Sequence, residues 1–174
     1  IRATSAPYAF TINTASSAIT VTGLNSYTYN GSGQGPITNT KTGSTGAVTY
    51  SYVGTGSTTY GPSATPPTNA GTYQVIATLA SDGTYNGATS APYAFTISRA
   101  SSTITVTGLT SYTYNGSTQG PITNTKTGST GAVTYSYVGT GSTTYGPSAT
   151  KPTGAGTYEV IATLAADANY SGAT

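Results

Sequence analysis

Apolar and polar residues alternate with a period of two along most of the chain. In GAVTYSYVG, Val48, Tyr50 and Tyr52 fall on one side and Thr49, Ser51 and Val53 on the other, as in a strand with one buried face. GTYQVIATLA behaves the same way, setting Tyr73, Val75, Ala77 and Leu79 against Thr72, Gln74, Ile76 and Thr78. AITVTGL (18–24), SYTYNG (26–31), GPITNT (35–40), TTYGPS (58–63) and PYAFTI (7–12 and again 92–97) read as further short strands. Clusters of Gly, Pro, Asn and Ser between them supply the turn conformations. No segment carries a useful 3.6-residue period. The pattern therefore predicts an all-β chain with essentially no helix, built of antiparallel sandwiches of about seven short strands each.

The pattern is also duplicated. SAPYAFTI at residues 5–12 returns letter for letter at 90–97, and Ser5–Thr89 is followed directly by its copy Ser90–Thr174, a spacing of 85 residues. The copies differ at twelve positions: 13, 14, 18, 25, 33, 66, 69, 74, 81, 83, 84 and 86. Such a period is longer than the roughly 20–50 residues of solenoid repeats, so each unit is expected to be a domain with its own core. In a sandwich of this kind PYAFTI is expected to be the last strand, pairing with GTYQVIATLA. Residues 14–99 then form one immunoglobulin-like sandwich and 100–174 a second that lacks its own last strand. Residues 1–13 are expected to be a terminal strand, either of a preceding repeat in a longer array or donated to another molecule. Tyr8, Phe10 and Ile12 are the strand-donor candidates. The exposed edge near Val160 and Ala162 would be the acceptor. The joint TISRASST (96–103) is expected to be too short for free swivelling.

NAGTYQV (69–75) and GAGTYEV (154–160) carry a more specific signal. Immunoglobulin sandwiches place a Tyr early in strand F, two residues before a buried Cys, with its hydroxyl bonded back to the chain. Tyr73 and Tyr158 match that place, with Val75 and Val160 where the Cys would stand. These four are the candidate structural residues. Through YTYNG, AGTYQVIATLA, TYNGATSAPYAFTI and, in the second copy, ANYSGAT, the chain resembles bacterial immunoglobulin-like modules of the MBG type. The resemblance covers essentially the whole chain and implies large, exported, repetitive surface or secreted proteins, often adhesins, in which the modules act as spacers. Asn30 and Asn115 stand in YTYNG where the pattern often has Asp, which weakens any carried-over cation site.

Composition narrows the chemistry. The 174 residues include no Cys, His, Met or Trp and only three acidic side chains. The net charge of +2 comes from Arg2, Lys41, Arg99, Lys126 and Lys151, scattered singly, so no basic patch is present for nucleic acid. No apolar run reaches the roughly 20 residues needed to insert in a membrane, and the first ten residues do not read as a signal peptide. No catalytic residue, cofactor or metal site is predicted. Asp82 and Asp167 read as solvated loop residues, because calcium and general acid–base chemistry both need further ligands or partners. Lys41 and Lys126, in TNTKTGST, read as exposed turn residues rather than crosslink donors. The threonine runs TNTKT and TITVT read as strand surface rather than an ice-ordering face. Asn-Gly-Ser at Asn30 and Asn115 fits a glycosylation acceptor and a tight turn, with the turn favoured.

Sixteen tyrosines leave a choice between core and contact surface. Tyr60, Tyr85, Tyr145 and Tyr170 lie near turns and are the candidates for a surface contact, with a host or environmental glycan as the candidate partner. The expected role is a non-enzymatic spacer of an extracellular bacterial adhesin or surface fibre, with neighbouring repeats joined head to tail as its partners. A carbohydrate-binding or adhesive module is the alternative.

Overall fold

A computed structural model describes residues 2–174. Among these the chain is all-β with no helix, and it divides into two compact units, one built mainly from the first repeat and the other mainly from the second.

In repeat 1 the strands are β1 (Ala18–Thr22), β2 (Ser26–Thr28), β3 (Thr38–Thr42), β4 (Val48–Gly54), β5 (Gly71–Leu79), β6 (Ala88–Thr89) and β7 (Tyr93–Ser98). One layer is the antiparallel pair β1–β3. The other is a five-stranded sheet in the order β2-β7-β5-β4, with β6 pairing β5 near its end. The register sets Tyr52 opposite Val75 and Tyr50 opposite Ala77. Alternate residues of β5 point inward: Tyr73, Val75, Ala77 and Leu79 are all at most 2% exposed. β1 packs across them and contributes Ile19 and Val21, while β7 contributes Phe95 and Ile97. The core is thus the inward period-two set of three strands facing that of β1, as a two-layer sandwich requires.

Not every pairing is antiparallel. The Thr96 amide donates to Asn25 O and the Tyr29 amide to Ser98 O. These bonds advance in the same direction on both segments, so β2 and β7 run parallel.

Repeat 2 contains β8 (Thr103–Thr107), β9 (Thr123–Thr127), β10 (Val133–Gly139) and β11 (Tyr158–Leu164). β8 pairs β9 and β10 pairs β11, with the same registers as in repeat 1. Ala173 bridges Leu164 where β6 bridges β5. No residue in the 174 corresponds to β7, and Ser111–Thr113, the counterpart of β2, forms no strand.

Three sequence readings need correction. TTYGPS (58–63) is not a strand. Gly61 takes φ +65° and Pro62 has no amide to give to a ladder, so only Ser63 bridges Tyr52 in β4. PYAFTI at 7–12 is not a strand either, although the same letters form β7. Residues 2–14 are exposed and carry no pairing strand. Lys41 lies within β3 rather than in a turn, with its side chain exposed and Nζ donating to Gly46 O at 3.0 Å. Lys126 in β9 makes the equivalent bond to Gly131 O.

Candidate functional site: the open groove of repeat 2

The phenylalanine of β7 is the centre of repeat 1. Phe95 stacks on Tyr73 with ring centroids 5.4 Å apart, and it meets Tyr27 and Tyr52 edge-on at 5.9 and 6.2 Å. Offset and edge-on pairs of this kind add to the area they bury. Gly35 makes room for the ring: a Cβ there would lie 2.8 Å from Tyr52 Cε1 and 3.2 Å from Phe95 Cζ. Tyr93 closes the far side by donating from its hydroxyl to Gly23 O at 2.8 Å. Burial pushes the Tyr52 hydroxyl up to about 12, with smaller contributions from Tyr50, Tyr27 and Tyr60. That hydroxyl stays neutral and donates to Pro36 O at 2.9 Å.

The same walls stand in repeat 2 without the ring. A groove of about 660 Å³ is lined by Val106, Tyr112, Pro121, Tyr137, Tyr158 and Val160, among others. Tyr137 remains 2% exposed and donates to Pro121 O at 2.7 Å. Tyr112 is 41% and Ile161 53% exposed. Tyr158 and Val160 are half-buried, whereas their counterparts Tyr73 and Val75 are sealed. The Tyr158 hydroxyl donates to Gly154 O, four residues upstream, at 2.8 Å, which ties the strand start to the preceding corner. Tyr73 brings its hydroxyl against Gly71.

Tyr8, Phe10 and Ile12 are exposed along their whole length, at 91, 79 and 86%. Tyr60, Tyr85, Tyr145 and Tyr170 are half-buried. Tyr60 and Tyr145 donate to Thr65 O and Thr150 O at 2.6 Å and pack edge-on against Tyr73 and Tyr158, so these rings buttress the starts of β5 and β11. The asparagine turns form as Asx turns, with Asn30 Oδ1 accepting the Ser32 amide and Asn115 Oδ1 the Ser117 amide.

One arrangement escaped the sequence reading. Asp82 is a clasp between two loops: Oδ2 accepts the Thr45 amide and hydroxyl, and Oδ1 accepts the Thr84 and Tyr85 amides. These donors, the Thr45 amide foremost, hold its carboxyl well below the usual carboxylate range. Asp167 repeats the clasp with Thr130, Asn169 and Tyr170. The signal available in sequence was the pairing of STG (44–46) with DGTY (82–85), recurring as STG (129–131) with DANY (167–170). Among the described residues no group of three or more His, Cys, Asp or Glu could hold a metal ion, and no helix is long and apolar enough to cross a membrane.

Two consecutive immunoglobulin-like β-sandwich repeats are thereby defined by fold and sequence together. The MBG domain model matches residues 17–101 and again 102–174, and the chain belongs to the MBG domain family. No curated protein and no solved structure matches it.

Proposed function

We propose that this chain is a non-enzymatic structural repeat, a spacer segment of a larger extracellular bacterial surface protein such as an adhesin or fibre. One observation carries the reading. Two nearly identical sandwiches follow each other in the chain, β7 ending at Ser98 and β8 beginning at Thr103. Duplicated domains in tandem suit reach rather than chemistry. Repeats joined head to tail would be one another's partners.

The test is solution scattering on proteins of two and four repeats. The spacer reading expects the longest dimension to grow by roughly 30–40 Å per repeat, a length set by strands of about eight residues and their loops. Growth that follows the square root of repeat number would reject it. Specific binding of the two-repeat chain to an array of glycans would favour an adhesive module instead.

A further inference from the structure

The chain holds three Asn-Gly pairs, beginning at Asn30, Asn86 and Asn115, and the fold treats them differently. We propose that Asn30 and Asn115 are sites of spontaneous deamidation, which turns each into aspartate and isoaspartate, while the same dipeptide at Asn86 is protected by its backbone anchors. The proposal goes beyond the spacer reading and does not depend on it.

The reaction needs a backbone free to move, an unhindered amide nitrogen after the asparagine, and support for the charge that develops on its side-chain oxygen. Asn30 and Asn115 are exposed and lie outside every strand. Gly31 and Gly116 take φ +81° and +78°, and a Cβ at either would meet nothing within 4 Å, so no packed group crowds these turns. In each the side chain folds over the following peptide. Asn30 Oδ1 accepts the Ser32 amide at 2.9 Å, and Asn115 Oδ1 accepts the Ser117 amide at 2.9 Å. That donor sits on the oxygen that becomes negative as the glycine nitrogen attacks.

The steps balance with water as the one co-reactant. The Gly31 nitrogen gives its proton to solvent and forms a bond to Asn30 Cγ. The bond from Cγ to Nδ2 then breaks, Nδ2 takes up a proton and leaves as ammonia, and a succinimide ring remains. Water opens the ring at Cγ to give aspartate, or at the main-chain carbonyl to give isoaspartate. Gly116 and Asn115 react alike. Each conversion replaces a neutral amide with a carboxylate, so the two together take the formal net charge of +2 to zero, a condition that favours association.

Asn86 also has a donor on Oδ1, the Thr14 hydroxyl at 2.8 Å. What differs is the backbone. The Asn86 amide donates to Ala15 O at 2.8 Å. Gly87 leads directly into β6 and is packed so closely that a Cβ there would lie 2.6 Å from Leu79 O. Closing the ring at Asn86 means giving up these anchors, whereas the turns at Asn30 and Asn115 have no such anchors to lose.

The experiment incubates the 174-residue chain in mildly alkaline buffer, folded and in urea, and follows each site by peptide mapping with mass spectrometry that separates isoaspartate from aspartate. In the folded chain Asn30 and Asn115 should convert roughly ten- to hundredfold faster than Asn86, the factor implied by one or two lost hydrogen bonds. In urea Asn86 should accelerate to match them, while Asn30 and Asn115 should gain nothing. Ion exchange should resolve two successive losses of positive charge in the folded wild type and neither in the double variant Asn30→Gln, Asn115→Gln over the same time. Equal folded rates at the three sites would overturn the proposal. So would faster conversion of Asn30 and Asn115 on unfolding, which would make their turns protective, or aspartate without isoaspartate, which would assign direct hydrolysis of the amide.

Discussion

Val75 and Val160 hold the same place in two copies of one sequence, yet the first is fully buried and the second only half-buried. The contrast runs through the whole face. Ile19 and Val21 are 6% and 3% exposed, while their counterparts Ile104 and Val106 are half-buried. Tyr27 sits in strand β2, while Tyr112 belongs to no strand. None of the twelve substitutions accounts for this, since every residue just named is identical in the two copies. What separates them is one strand. Six residues, Tyr93–Ser98, convert a pair of two-stranded layers into a sealed sandwich, and they do so largely through Phe95.

Removing that ring should produce the largest effect. Phe95→Ala is expected to cost repeat 1 about 3–5 kcal/mol, read as an earlier urea transition that leaves repeat 2 unchanged. Phe10→Ala, the same change in the same octapeptide, should leave the unfolding of the dilute chain where it was. Equal effects of the two would break the comparison. A smaller difference is expected from the tyrosines beneath. Tyr52→Phe leaves Pro36 O without its donor in a buried site and should cost about 1–3 kcal/mol, whereas Tyr137→Phe, beside the open groove where water can replace the hydroxyl, should cost about 0.5–1.5 kcal/mol.

The aspartate clasps should behave alike in both repeats, because their loops do not touch the groove. A carboxyl with a lowered folded-state pKa contributes stability above its unfolded value of about 3.9, and this is lost as the pH falls toward the folded value. The urea midpoint is therefore expected to decline from about pH 5 downward. Asp82→Asn should flatten that decline in repeat 1 alone, and an unchanged slope would remove the clasp from the account. The least effect lies at the alkaline end. Tyr52, raised to about 12 by burial, favours the folded state fully below pH 10 or so and loses that contribution as the pH climbs through its folded value. Tyrosinate absorbance near 295 nm should fall short of full ionisation at pH 11, and by a smaller amount in Tyr52→Phe, since burial raises Tyr27, Tyr73 and Tyr137 as well.

Much of this was legible in the letters. The period-two sets of GAVTYSYVG and GTYQVIATLA name the inward faces of β4 and β5, because alternation is fixed by the pleat. TTYGPS imitated that alternation over too few residues, and its Gly-Pro pair could not sustain a ladder. β6 was invisible, since two residues carry no period. The aspartate clasp was missed because the loop it ties down, at Thr45, lies 37 residues away in sequence, and a loop aspartate is usually solvated. PYAFTI is the instructive case: it is a strand at 92–97 and none at 7–12. Strand formation needs neighbours for its amides and carbonyls, and no local preference can report whether they are there.

The parallel pairing of β2 with β7 has a mechanical consequence. Parallel neighbours place the beginning of one strand and the end of the other at opposite ends of the ladder. A pull applied between Ser26 and Ser98 therefore acts along the strands, and the bonds from Thr96 to Asn25 and from Tyr29 to Ser98 share the load together instead of parting one at a time. Rupture under such a load is a sliding event rather than a peeling one, and its rate is that of forced unfolding rather than of equilibrium stability. A repeat closed by its last strand would thus resist tension, while one with an empty groove would lack this clamp.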